Sequence, residues 1–195
     1  MIILFNDNYK VAIEKIKKEK SIETSLFFIN LEKENIKNLK RKYEKYYTHK
    51  LLNYLLKNTK YTVKYNNRKP IIKNKALNIS ISHTNERVGV ALSQNQLGLD
   101  MEVISIRTQK LLHRFINEKD KNFINADNIV DTTLLWTIKE ATFKLDNSLT
   151  NFKRDIYVTN IMRQNKFKGQ VEILHKISAD YYIFDNFIVT VVFRI

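Results

Sequence analysis

The sequence predicts an α+β protein built from two halves of comparable size. Short runs in which apolar and polar residues alternate predict strands, and segments with apolar residues every three or four positions predict amphipathic helices. These elements follow the order strand, helices, strands, and the same order begins again after a polar turn at residues 94–96. We therefore expect an N-terminal half at 1–95 and a C-terminal half at 96–195. The sequence shows no internal repeat, so a duplication is a hypothesis only.

The N-terminal half is predicted to contain both element types. Its elements are a strand at 2–5, a helix at 10–20, a helix or strand at 25–31, a long helix or helical pair at 32–57, a strand at 61–65, a turn at 66–70 and strands at 79–82 and 88–92. Residues 10–20 are interpreted as a basic helix that directs Val11, Ile13 and Ile16 toward the core. In the 32–57 segment, tyrosines and leucines recur at helical spacing between lysines.

The C-terminal half is predicted to place one long helix among five strands. Its elements are a strand at 97–103, short helices at 107–117 and 119–125, a helix at 131–145, and strands at 156–162, 169–175, 181–184 and 187–193. Asp131 or Thr132 is the expected N-cap of the long helix, because both can accept a hydrogen bond from a free backbone N–H.

Composition narrows the functional class. The chain has no cysteine, which excludes disulfides and thiolate zinc sites and fits a reducing, cytoplasmic setting. No apolar run approaches the roughly 20 residues of a membrane helix. Lys and Arg total 34 against 20 Asp and Glu, a formal net charge of +14. This excess favours a polyanionic partner, although compositional drift in a chain rich in Lys, Asn and Ile explains it equally well.

An acidic strand carries the first candidate site. Alternate side chains of a strand share a face, so Asp100 and Glu102 would lie about 7 Å apart, while Leu99 and Met101 face the core. Two carboxylates on an otherwise apolar strand repel each other unless a cation lies between them. A magnesium ion is the natural candidate, because it prefers oxygen ligands and recruits substrate phosphates. The alternative is an exposed acidic edge strand.

The long helix of the C-terminal half carries the second candidate site. Trp136, Glu140 and Lys144 follow one another at intervals of one helical turn. Glu140 can give a third carboxylate to a metal or act as a base, and Lys144 can hold a phosphate. The alternative is a surface Glu–Lys pair. Trp136 and Phe143 are expected to pack in the core rather than to stack on a substrate.

A third candidate lies where the 79–82 strand ends. Ser82 and His83 place polar groups at the mouth of a loop, and no nucleophile-elbow glycines surround the serine. His83 can donate to a phosphate or accept a proton, or it can simply cap the strand. None of the four histidines has metal-ligand spacing with another.

The order of these segments resembles the 4'-phosphopantetheinyl transferase superfamily, in particular its larger class, which activates surfactin synthetase and similar systems. The motifs that carry the resemblance are Ser82-His83-Thr84, Gly98-Leu99-Asp100-Met101-Glu102 and Trp136-Thr137-Ile138-Lys139-Glu140-Ala141-Thr142-Phe143-Lys144. Upstream, Arg68-Lys69-Pro70 is similar to a Gly-x-Pro segment of the family, and Lys50-Leu51-Leu52 to its Arg-Leu-Leu helix. The resemblance covers most of the chain. It implies two similar α+β halves related by a pseudo-twofold, with the active site at their junction, in a monomer.

The resemblance also implies an activity: transfer of the phosphopantetheine arm of coenzyme A to a serine of an apo acyl or peptidyl carrier protein. Adenosine 3',5'-bisphosphate leaves, and the nucleophile belongs to the carrier. The implied magnesium ligands are Asp100, Glu102 and Glu140. Glu140 would also deprotonate the serine, and Lys144 would stabilise the leaving phosphate. The implied coenzyme A contacts are Lys50, Lys69, Ser82, His83, Lys139 and Lys144.

Other functions are compatible with parts of the pattern. A basic nucleic-acid-binding module would use the helix around residues 37–50, and a magnesium-dependent phosphohydrolase would use the same carboxylates. An inactive family member is a further alternative. The resemblance favours the transferase, with neither nucleic acid nor a membrane as partner. It does not identify the carrier, because fatty-acid, polyketide and peptide-synthetase carriers all present an acidic helix beside the serine.

Overall fold

The computed structural model describes residues 1–33, 36–66, 69–73, 75–146 and 148–194. The strands in these ranges are β1 (Ile2–Phe5), β2 (Lys10–Lys15), β3 (Thr62–Asn66), β4 (Lys69–Lys73), β5 (Asn78–His83), β6 (Arg87–Ser93), β7 (Leu97–Val103), β8 (Val158–Arg163), β9 (Lys168–Ile173), β10 (Ile177–Ile183) and β11 (Phe187–Phe193). The α-helices are α1 (Lys20–Glu23), α2 (Leu26–Lys33), α3 (Leu39–Leu55), α4 (Ile106–Leu111), α5 (Ile129–Leu145) and α6 (Phe152–Asp155). Short 3₁₀ turns lie at Leu112–Arg114 and Asp120–Asn122.

Two antiparallel sheets organise the chain. The first has the strand order β1-β2-β6-β5 and the second β7-β11-β10-β9-β8, while β3 and β4 form a separate hairpin. The polypeptide passes from the first sheet to the second through the turn at residues 94–96, between the ends of β6 and β7. Both sheets therefore contain strands that are neighbours in sequence, and β5 and β7 lie at their edges.

The core is arranged in layers, with the two sheets packed face to face between two helices. One apolar cluster joins α3 to the first sheet, with Tyr43, Leu51 and Val90 buried in it. Another joins α5 to the second sheet through residues such as Ile138 and Ile188. A third cluster lies between the sheets and is formed by both: Tyr9, Val11, Ile13, Ala91, Leu97, Leu99, Met101, Phe187, Val189, Val191 and Phe193. The order of layers is therefore α3, first sheet, second sheet, α5.

The helix predicted at residues 10–20 is wrong. Lys10–Lys15 is a strand, paired with both β1 and β6. Val11 and Ile13 point into the cluster between the sheets, while Ala12 points to the opposite face beneath α3. A strand covered on both faces has a continuous apolar run, which hides the alternation that identifies a strand with one exposed face.

The other elements differ from the prediction mainly at their ends. Strand 97–103 is confirmed, and the long helix begins two residues earlier than expected, at Ile129. Its N-cap is Asn128, whose side chain accepts from the N–H groups of Val130 and Asp131, so Asp131 and Thr132 as N-cap were wrong. In the turn predicted at 66–70, Asn67 and Arg68 lie outside the described residues, and Lys69 already belongs to β4. No helix in the described ranges is long and apolar enough to cross a membrane.

Candidate active site

A glycine brings the long helix of the second sheet onto its first strand. A Cβ atom on Gly98 would overlap the carbonyl oxygen of Ala141 in α5, because the helix backbone passes directly over this point of β7. No other residue type fits such a close approach without moving the helix. Asp100 lies two residues after Gly98 on the same face of β7, and Glu140 directly precedes Ala141 in α5. The close contact therefore sets the distance between the acidic strand and the helix.

The three predicted carboxylates lie within electrostatic reach of one another at this crossing. Asp100 is 6% exposed, and Glu102 and Glu140 are partly buried. Burial, and then repulsion from Asp100, raises the pKa of Glu140 from 4.5 to about 7, against the opposing effect of Lys144. Burial followed by repulsion from Asp100 also raises the pKa of Glu102, and Arg107 opposes it. The arrangement concentrates negative charge where little water can screen it.

Lys144 provides the cation closest to this charge. Its ammonium donates to Asp100 Oδ1 at 2.7 Å and to the carbonyl oxygen of Leu99 at 3.0 Å. Its side chain is still 31% exposed. The lysine thus lies between the carboxylate strand and solvent, where it can contact an incoming anion.

The chemistry of these donors fits a hard divalent cation. Within the described residues, no three His, Cys, Asp or Glu side chains are spaced as a complete metal site. Magnesium, however, commonly takes one or two protein carboxylates and completes its shell with water and substrate phosphate oxygens. The pKa values of Glu102 and Glu140 are raised by burial and then by repulsion from Asp100. A bound cation would offset this repulsion.

Ser82 is held inside the junction of the two sheets. Its hydroxyl donates to Asp100 Oδ1 at 3.0 Å and accepts from the backbone N–H of Met101 at 3.1 Å. Only 4% of the residue is exposed. One hydroxyl proton and a buried position leave this side chain little capacity for a phosphate, so the expectation that Ser82 binds coenzyme A disagrees with the structure.

His83, the next residue, points into a basic cleft. The cleft encloses about 200 Å³ between α3, the β3–β4 hairpin and the end of β5, and its lining is Arg41, Glu44, Lys45, Thr48, Tyr65, Pro70, Ile81 and His83. His83 Nδ1 lies 3.6 Å from the Glu44 carboxylate, which Arg41 also contacts at 3.2 Å. Burial is the main cause that lowers the His83 pKa, and Lys144 and Arg41 lower it further, whereas Glu44 raises it. His83 directly follows Ser82, whose hydroxyl bonds to Asp100, so the cleft adjoins the carboxylate cluster.

A comparison with protein families identifies the chain. The family model described as the 4'-phosphopantetheinyl transferase superfamily matches residues 96–192. The chain belongs to this superfamily. It is therefore a transferase of the phosphopantetheinyl type, in a family that acts on carrier proteins with coenzyme A as donor and generally with a divalent metal. No curated protein matches the sequence.

Lys139 does not reach the cleft, although it lies within the helix motif at residues 136–144. It is 0% exposed, and its ammonium lies 2.6 Å from Asp120, which is equally buried. It also donates to the carbonyl oxygens of Ile156 at 2.8 Å and Phe152 at 3.1 Å. A phosphate contact is incompatible with this arrangement, because all three ammonium protons have partners. The expectation that Lys139 binds coenzyme A is corrected to a structural ion pair.

The remaining expected cations of the transferase lie outside the lining of the cleft. Lys50 donates to Glu14 at 2.7 Å, on the side of α3 opposite Arg41. Lys69 donates to the carbonyl oxygen of Leu145 at 3.4 Å, where a cation favourably meets the C-terminal end of α5. Lys69 is only one residue from Pro70, which does line the cleft.

The sequence did not identify two residues of α3, Arg41 and Lys45, as candidates for the site of the transferase. Arg41 and Lys45 of α3 line the cleft one helical turn apart. Their spacing in the sequence identifies a basic stripe, but the many lysines on α3 conceal which stripe faces a ligand. Tyr43 and Tyr47 of the same helix are buried in the core and cannot stack on bases.

Proposed function

We propose that the chain transfers the 4'-phosphopantetheine arm of coenzyme A to a serine of an apo acyl or peptidyl carrier protein, with magnesium, and releases adenosine 3',5'-bisphosphate. The observation that carries this proposal is the crossing of β7 and α5, which gathers Asp100, Glu102 and Glu140 beside Lys144 and next to a basic cleft. Carboxylates for a metal, a cation for developing charge and a cleft for polyphosphate are the parts that phosphoryl transfer needs.

Asp100, Glu102 and Glu140 are the residues that would hold the magnesium ion. When bound, the ion supplies charge neutralisation and orientation for the pyrophosphate of coenzyme A. The residues themselves contribute rigidity, because Asp100 is fixed by Ser82 and Lys144 and the close contact at Gly98 fixes α5.

Glu140 is the proposed general base. In the metal-free protein, burial is the main cause that raises the pKa of Glu140 to about 7, and a carboxylate with a raised pKa accepts a proton more readily than one at 4.5. The proton of the carrier serine passes to Glu140, directly or through water. The serine oxygen then forms a bond to the β-phosphorus, and the bond from that phosphorus to the oxygen of the leaving adenosine 3',5'-bisphosphate breaks. Lys144 stabilises or protonates the oxygen that leaves.

The adenosine end of coenzyme A is proposed to occupy the basic cleft. Arg41, Lys45 and His83 offer donors for its phosphates, with His83 near the 3'-phosphate. Lys69 adds positive charge from the neighbouring strand, while Lys50 is compensated by Glu14 and contributes less. A charge-assisted hydrogen bond to phosphate is worth about 1.5–3 kcal/mol.

We also propose that the chain is of the larger, two-half class, with halves 1–95 and 96–195 related by a pseudo-twofold, active as a cytoplasmic monomer. Two features support this. Each main sheet carries one helix of 17 residues on its outer face, α3 on the first and α5 on the second. Residues of both halves, Glu44 and His83 from the first and Lys144 from the second, also meet at one site.

Intact-mass analysis tests the transfer. The protein is incubated with coenzyme A, magnesium and a panel of apo carriers, and each carrier is examined for the added phosphopantetheine. Glu140→Gln and Asp100→Asn are expected to lower the rate at least ~100-fold, the range of a lost general base. The matched control is Glu118→Gln, since that side chain is 88% exposed and forms a surface pair with Lys121. Full activity in both site variants would refute the assignment, and phosphate release from simple esters without carrier modification would indicate a hydrolase.

A further inference from the structure

The two main sheets are joined by serine side chains. β5 pairs with β6, and β7 pairs with β11, so the facing edges of β5 and β7 belong to different sheets. Across this junction, the hydroxyl of Ser80 accepts from the backbone N–H of Leu99 at 2.9 Å, and that of Ser82 accepts from Met101 at 3.1 Å. Both serines and both N–H groups repeat at an interval of two residues. The hydroxyls thus take the place of strand carbonyl oxygens and fix the register of β7 against β5.

The two serines differ in one respect. Ser82 also reaches a carboxylate: its hydroxyl donates to Asp100 Oδ1 at 3.0 Å, and no such bond of Ser80 is found within the described residues. Lys144 contacts the same oxygen at 2.7 Å. Within the described part of the chain no hydrogen bond reaches Asp100 Oδ2. Two donors on one carboxylate oxygen fix the rotation of the group and leave the other oxygen for a cation.

We propose that Ser82 is a positioning residue for the metal carboxylate Asp100, and that Ser80 is its counterpart with a purely backbone role. This inference rests on the proposed function, because it takes Asp100 as a metal ligand. Partners that orient a ligating carboxylate typically change metal affinity about 10- to 100-fold when they are removed. Ser82 therefore acts on the metal, while coenzyme A is contacted by the residues of the cleft.

Ser82→Ala and Ser80→Ala form a matched pair. Each removes one buried hydroxyl and one bond to the backbone of β7, so both are expected to lower the urea midpoint. Ser82→Ala should lower it further, because it also removes the bond to Asp100. Manganese binding then separates the two variants. It is measured with coenzyme A present and without carrier, as the decrease in the electron paramagnetic resonance signal of free Mn²⁺. Ser82→Ala should raise the half-saturating manganese concentration about 10- to 100-fold, whereas Ser80→Ala should change it less than about two-fold. Ser82→Thr, which keeps the hydroxyl, should bind manganese like the wild type.

Coenzyme A binding, measured in EDTA to remove metal ions, tests the alternative that Ser82 contacts coenzyme A. It should be unchanged in Ser82→Ala, because the serine is buried away from the cleft. Weakened coenzyme A binding with normal manganese binding would overturn the proposal and make Ser82 a phosphate ligand. Equal loss of manganese affinity in both alanine variants would also overturn it, since the cause would then be a loosened sheet junction. Normal metal behaviour in a wild-type protein that modifies no carrier would refute the proposed function and leave the role of Ser82 intact. A wild type that binds no manganese would refute both.

Discussion

The buried ion pair between Lys139 and Asp120 can be tested directly against the alternative that Lys139 binds coenzyme A. Both side chains are 0% exposed, and Lys139 makes three bonds from its ammonium. Asp120 also accepts from the backbone N–H groups of Val158 at 2.9 Å and Asn117 at 3.0 Å. The variant Lys139→Met keeps the length and the apolar stem of the side chain and removes only the charge.

The expected loss follows from what the substitution leaves behind. The Asp120 carboxylate would remain in the core with no cation, and the carbonyl oxygen of Phe152 would lose the Lys139 donor, while that of Ile156 keeps Asn117 Nδ2 as a donor at 3.0 Å. Removing one partner of a buried pair costs about 3–5 kcal/mol. Since small proteins are stable by about 5–15 kcal/mol, Lys139→Met should unfold at a much lower urea concentration. Trp136 of α5 is the one tryptophan of the chain and packs between Phe115 and Phe152. Its fluorescence therefore reports the unfolding.

Two further measurements complete the test. The double variant Lys139→Met with Asp120→Leu should recover part of the loss, because no buried charge is then left unpaired. At a temperature where Lys139→Met remains folded, its KM for coenzyme A should stay within about two-fold of the wild type. A loss of stability below ~1 kcal/mol together with a KM raised ten-fold or more would show that Lys139 binds phosphate and that the buried pair is incorrect.

Three other predictions concern the site. Gly98→Ala should destabilise the protein by about 1–3 kcal/mol or more and abolish transfer, because the new methyl group displaces α5 from β7. A variant that is as stable in urea as the wild type and active in the mass assay would contradict the close contact. Glu140→Gln should stabilise the metal-free protein by about 3 kcal/mol at pH 8 and have little effect at pH 4. The reason is that a pKa raised from 4.5 to about 7 makes the wild type lose stability as pH rises through that window. Parallel pH profiles of the urea midpoint would refute this. Lys45→Met should raise the KM for coenzyme A about 10-fold at unchanged kcat, while exposed Lys60→Met should not, and equal effects of the two would indicate general electrostatics.

Much of the second half could be predicted from the sequence because each signal there is local. The strand 97–103 alternates cleanly, since its two faces meet different environments: Leu99 and Met101 face the other sheet, while Asp100 faces α5. The helical spacing of Trp136, Glu140 and Lys144 depends only on α5. The three carboxylates were therefore predicted as a group before their distances were known, although their roles stay a proposal.

The errors came where a residue's role depends on distant parts of the chain. Lys139 looks like its neighbours in the motif, but its ion-pair partner is Asp120, which lies before α5 in a 3₁₀ turn. Strand β2 was predicted as a helix because both of its faces are covered, one by α3 and one by the second sheet. Local periodicity carries no information about such partners.

The apolar layer between the two sheets has a consequence for the region that the superfamily match covers. Residues 96–192 form a nearly complete second sheet with its helix, yet Leu97, Leu99, Met101, Val189 and Val191 point toward the first sheet. A fragment with these limits would expose that whole apolar face to water. We therefore expect the segment that identifies the family to need the N-terminal region, which the family match leaves out, as the other wall of its core.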